Sequence, residues 1–150
     1  GNTGYHRYRL IDGAIEHFDE WWAVGTRSTA HWFWGAQDVT NQYILEGVRG
    51  GLISMVLFMA ILWVAFRTIG RAWRAAGSDR ASVILYWALG VSLFVHAASF
   101  VAVSYFGQIM FVWYLHLAMV GTLRERTVYR MHAAVEGSSA VGGRSGVALT

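Results

Sequence analysis

Polar and apolar positions divide the chain into two unlike halves. Over residues 8–22 (YRLIDGAIEHFDEWW), Leu10, Ile11, Ala14, Ile15, Phe18, Trp21 and Trp22 recur at steps of three and four, while Asp12, Glu16, Asp19 and Glu20 fill the other side. That spacing predicts one amphipathic helix, too charged to cross a bilayer. Residues 23–37 carry turn formers and no sustained period, which predicts a loop. Asp38 or Thr40 stands where it can cap a second helix, a side-chain oxygen accepting from the free N–H groups of the first turn. That helix runs through NQYILEGVRGG into an uncharged stretch, 50–66, and Arg67 can reach an interface with its stem still in apolar surroundings. The stretch 81–123 is uncharged apart from His96 and His116. At about 43 residues it is too long for one span of a hydrocarbon core and suits two. Its most polar patch, Ser104-Tyr105-Phe106-Gly107-Gln108, is the natural break. The pattern predicts an all-α integral membrane protein. An extracytoplasmic loop segment with an amphipathic helix covers 1–45, and three transmembrane helices at about 50–67, 82–103 and 107–123 fill 46–123. The Gly/Ser-rich tail over 124–150 is expected to be disordered.

Composition sharpens this. The chain is 55% hydrophobic and 14% charged, well below the roughly 25% charge of soluble domains. It has no cysteine, proline or lysine, so all twelve basic residues are arginine. The loop after the first span holds Arg67, Arg71, Arg74 and Arg80 against Asp79, the segment after the third holds Arg124, Arg126 and Arg130, and the turn between spans two and three holds no charge. Basic ends face the cytoplasm. Residues 1–49, with four arginines against six acids, are then expected outside and the C-terminus inside. The N-terminus lacks an apolar signal core, and no initiator Met is present. Such a start predicts the C-terminal piece of a longer membrane protein whose further helices precede it.

The polar groups predicted outside the membrane are Arg7, Arg9, His17, Arg27, His31, Asp38, Asn41 and Glu46. Arg7, Leu10, Ala14, His17 and Trp21 fall on one helical stripe, with Arg7 and His17 about 15 Å apart along the axis. The stripe either faces a cleft or snorkels from an interfacial helix. The start of the second helix, Asp38-Val39-Thr40-Asn41, has free N–H groups and a positive dipole end that suit a phosphate, and Arg7 and Arg27 can add bidentate contacts. Equally, Asp38 can be no more than a cap. Trp21, Trp22, Trp32, Phe33 and Trp34 fit either a membrane interface or a small aromatic core under the loop. His96 and His116 lie at similar distances on either side of the turn near Phe106, so an antiparallel hairpin would put them at similar depth, as a structural pair or a proton relay. Gly47-x-x-x-Gly51 permits close helix approach. With no cysteine, thiolate chemistry is excluded. No Gly-x-Ser-x-Gly and no His-Glu-x-x-His element is present, so serine or zinc hydrolysis has little support.

Two stretches carry a family likeness. Thr3-Gly4-Tyr5-His6-Arg7, followed by Leu10, Ile11, Ala14, Ile15 and Phe18 and closed by Val24-Gly25, is one. Thr40-Asn41-Gln42-Tyr43-Ile44 with Arg49-Gly50-Gly51-Leu52-Ile53 is the other. Over roughly residues 3–66 the chain resembles the C-terminal part of the O-antigen ligase and polymerase family of bacterial inner-membrane proteins. In that family a Ser-Gly-Arg helix start ends in Gly-Val-Gly, and His-Asn-x-Tyr-Leu precedes Glu-Gly-Gly-Leu-Ile. Thr40 stands where the family has histidine and Arg49 where it has glutamate, so Asp38 or His31 would have to serve as base. The resemblance implies transfer of a glycan from a polyprenyl-pyrophosphate carrier to a glycan or lipid acceptor hydroxyl, in the bacterial inner membrane, with no metal, cofactor or nucleic acid. On that reading Arg7, Arg27 and His17 bind substrate, Asp38 or His31 orients the acceptor hydroxyl, and Asn41 fixes the loop at the helix start; with neither replacing the family histidine, the chain would be inactive. The alternative from the residues alone is a non-catalytic membrane subunit or a transporter fragment, with His96 and His116 lining a pathway.

Overall fold

A computed structural model describes residues 3–34, 36 and 39–123. Asp38 and the stretch 124–150, with Arg124, Arg126, Arg130 and the expected disordered tail, lie outside the described residues. Every regular element among the described residues is a helix. Helix α1 spans Thr3–Glu16 and α2 spans Phe18–Trp21. The single helix expected over 8–22 therefore starts earlier and breaks at His17 (φ −104°, ψ 29°). There the His17 ring stacks on Trp32 at 5.3 Å and its Nδ1–H donates to the Gly13 carbonyl at 3.0 Å. The same carbonyl also accepts the His17 backbone N–H at 3.0 Å, so both groups of His17 close the end of α1.

Helix α3 spans Gln42–Ala75. Its cap is Asn41, not Asp38 or Thr40: the Asn41 carboxamide oxygen accepts the Ile44 N–H at 3.1 Å. The helix is interrupted at Gly50 (φ −137°, ψ 15°) and Gly51 (φ 78°, ψ −179°). Beyond the break, 52–75 extends about 36 Å at 1.5 Å per residue, more than a hydrocarbon core of about 30 Å. Helix α4, Arg80–Ser99, is capped by Asp79, and α5 runs Gln108–Leu123. Helices α3 and α4 are long and apolar enough to cross a membrane; α5 is shorter.

The three long helices share one core. Leu62, Ala65, Ile69 and Ala72 form a buried seam on α3 that meets Leu89 and Leu93 of α4 and Trp113 and Val120 of α5. Small alanines in the seam allow the helices to approach closely. The outer faces are apolar as well: Ile53, Val56, Met59, Trp63, Phe94 and Phe111 are all exposed. A second, smaller core joins the head to α3 through Ala14, Trp21, Trp32, Ala36 and Val48.

Candidate functional site

The head segment, 3–34, is fastened to the break in α3 by two backbone hydrogen bonds beside the small aromatic core. The Thr26 N–H donates to the Val48 carbonyl at 2.7 Å and the Leu52 N–H donates to the Trp22 carbonyl at 2.8 Å. Both α3 groups are ones that a broken ladder leaves without a helical partner. The approach needs glycine. A Cβ on Gly25 (φ 83°) would stand 2.6 Å from the Val48 oxygen, and one on Gly51 would stand 2.5 Å from the Ala23 oxygen. Gly47 admits the Trp21 ring, which would lie 2.7 Å from a Cβ there. The Gly47-x-x-x-Gly51 pattern thus receives the head segment. Val24-Gly25 and Arg49-Gly50-Gly51-Leu52-Ile53, read from sequence as separate motifs, form one joint.

Within the head, Glu20, His31, His17 and Trp32 gather. One Glu20 carboxylate oxygen accepts from His31 Nε2–H at 2.7 Å and from the Trp32 indole N–H at 3.1 Å. His17 meets the His31 ring edge-on at 5.8 Å. The Trp32 bond, then that of His31, holds the Glu20 carboxyl below the ordinary glutamate range. A carboxylate only accepts, so the His31 Nε2 facing Glu20 carries a proton, and in the neutral imidazole Nδ1 is the nitrogen that keeps a lone pair. His31 is exposed. Glu20 was assigned from sequence only to the polar side of a helix. Its role depends on a loop bringing His31 and Trp32 back over α2, which periodicity does not report.

None of the other candidates bonds to this cluster among the described residues. Arg7 and Arg27 are exposed, and neither forms a hydrogen bond or ion pair among the described residues. Arg7 lies outside the buried part of its stripe, where Leu10, Ala14 and Trp21 are buried and His17 is half-buried. Arg9 is 4.6 Å over the Phe33 ring. The aromatic residues divide: Trp21 and Trp32 are buried in the head core, while Trp22 and Trp34 are exposed. The start of α3, proposed from sequence as a phosphate seat, is largely satisfied by protein. The Gln42 N–H donates to the Phe100 carbonyl at 2.9 Å, and Ile44 is taken by Asn41. Asn41 also donates to the Val101 carbonyl at 3.0 Å, and the Gln42 carboxamide oxygen accepts the Tyr105 N–H at 2.7 Å. Asn41 and Gln42 thus tie the head of α3 to the α4–α5 turn.

Below that turn lies a buried polar pair. The His96 and His116 rings are 5.5 Å apart. His96 Nδ1 is hydrogen-bonded to the Tyr105 hydroxyl at 2.8 Å and His116 Nδ1 to Ser92 at 3.2 Å, while His116 Nε2 is buried without a partner among the described residues. Among the described residues no group of three or more His, Asp or Glu side chains could hold a metal ion. Compared with known proteins, the chain matches no family model, no curated protein and no solved structure.

Proposed function

We propose that the chain is part of a membrane glycosyltransferase that moves a glycan from a polyprenyl-pyrophosphate carrier to an acceptor hydroxyl, as its likeness to the O-antigen ligase and polymerase family implies. On this reading α3, α4 and α5 span the bacterial inner membrane, with residues 1–49 outside and the basic ends inside. One observation carries it: exposed His31 holds its Nε2 on Glu20 and leaves Nδ1 as a base, in a head segment whose Arg7 and Arg27 are unpaired among the described residues. The acceptor oxygen attacks the anomeric carbon and its proton passes to His31 Nδ1. The bond from that carbon to the pyrophosphate oxygen breaks, and the leaving group takes the electron pair against the guanidinium groups of Arg7 and Arg27. The departure from the family at Thr40 is answered by His31. Asp38 remains a second candidate for the same role.

The test uses the full-length protein in a strain lacking the gene, with lipid-linked oligosaccharide as the readout. His31→Ala and the double variant Arg7→Ala/Arg27→Ala are expected to insert normally and to let the carrier-linked glycan accumulate. Wild-type transfer by both would remove the reading. The buried His96–His116 pair favours the second reading, a transporter or subunit fragment. Under it, His96→Leu would abolish transport while His31→Ala would be silent.

A further inference from the structure

Away from the head, α3 and α4 enclose an apolar groove of about 310 Å³. Ile69, Gly70 and Trp73 form one wall and Tyr86, Gly90 and Phe94 the other. It exists because two glycines face it. A Cβ on Gly90 would meet Ile69 Cγ2 at 3.6 Å, so a larger side chain there would fill the space. The helices are antiparallel, so the groove runs from Phe94 at its deep end to Trp73 and Tyr86 at the arginine-bearing end, about 12 Å along α4. A cation stands at that end. The nearest atom to a Cβ on Gly70 is the Arg74 guanidinium, at 3.7 Å. Arg67, Arg71 and Arg74 recur at four and three residues on the exposed side of α3, opposite the Leu62–Ala65–Ile69–Ala72 seam. Arg67 lies 5.1 Å over the Trp63 ring, and Arg71 and Arg74 form no ion pair among the described residues. No acid occurs in α3 after Glu46, and Asp79 is engaged in capping α4.

We propose that this groove and its arginines are a binding site for one anionic phospholipid, an acyl chain lying between Gly70 and Gly90 and the phosphate held by Arg74 and Arg71. Guanidinium groups bind phosphate oxygens bidentately, and aromatic side chains at the rim suit the level of the headgroups. The site requires only that α3 and α4 lie in a bilayer. It stands or falls independently of glycan transfer. The purified full chain in neutral detergent is titrated with phosphatidylglycerol and, separately, phosphatidylcholine, and retained lipid is counted by native mass spectrometry. One phosphatidylglycerol is expected to be held at least tenfold more tightly than phosphatidylcholine. Arg71→Gln/Arg74→Gln should abolish that preference, since each basic residue near a headgroup contributes about fivefold. Gly90→Leu should release both lipids by filling the groove. Equal retention of the two lipids by the wild type, or an undiminished preference in the arginine variant, overturns the site. The arginine variant alters only exposed side chains, so it decides the matter even where Gly90→Leu misfolds.

Discussion

The head and the helical hairpin below it are held by opposite means. The head meets α3 through backbone hydrogen bonds at three glycines, with a thin aromatic core behind them. Helices α3, α4 and α5 meet mainly through side chains, an apolar seam closed at one end by a histidine pair, with one backbone bond from Gln42 to Phe100 at the turn. A backbone joint tolerates no added atoms, because nothing in it can rotate away. A side-chain seam adjusts rotamers and tolerates changes of shape better than changes of polarity. Histidine sits differently in each region: His31 is exposed and tethered by a carboxylate, whereas His96 and His116 are sealed in.

The largest expected effect breaks the joint. Gly51→Val forces a β-branched residue into a positive-φ conformation and against the Ala23 carbonyl, at a cost of about 3 kcal/mol or more. Limited proteolysis should then cut the head, while circular dichroism shows the α3–α5 helices retained. A protected head in this variant would mean that the glycines do not hold it. Next comes the histidine pair. His96→Leu removes the partner of Tyr105 and is expected to lower hairpin stability by about 1–3 kcal/mol, with part recovered in His96→Leu/His116→Leu, where neither polar ring is buried alone. Thermal melting in detergent measures both, and a double variant less stable than the sum of the singles contradicts the pairing. Asn41→Ala removes a cap and the bond to Val101, for about 1 kcal/mol, and should loosen the α4–α5 turn in hydrogen exchange.

The smallest effect is a pH dependence of the head. The Glu20 carboxyl titrates below its ordinary range when folded, so its contribution is complete above the unfolded glutamate range and is lost as the pH falls through the lowered value. Trp32 and His31 should detach on acidification, visible in the Trp32 indole proton resonance. Glu20→Gln should remove the dependence. A wild-type resonance unchanged down to the acid limit would leave the Glu20 bond without weight.

Long apolar helices separated by a polar turn were readable because a long apolar run in a helix satisfies its own backbone. The ends were less legible. Asn41 rather than Asp38 or Thr40 caps α3 because its side chain also reaches Val101, sixty residues away in sequence. The break at His17 depends on Trp32 stacking from beyond a loop. The two motif stretches were visible as Val24-Gly25 and Gly50-Gly51, but not their contact, since a glycine pattern shows that something approaches closely and not what.

By itself the sequence determined helicity, the apolar runs, the arginine-rich flanks and which residues could titrate, all properties of neighbours along the chain. Whereas the spacing of His96 and His116 about the turn already put them at similar depth, tertiary structure alone decided that Glu20 meets His31, that the head plugs a gap in α3 and that α3 and α4 leave a groove between them. Those pairings join residues distant in sequence, and their geometry follows from how helices and loops pack, which no local spacing encodes.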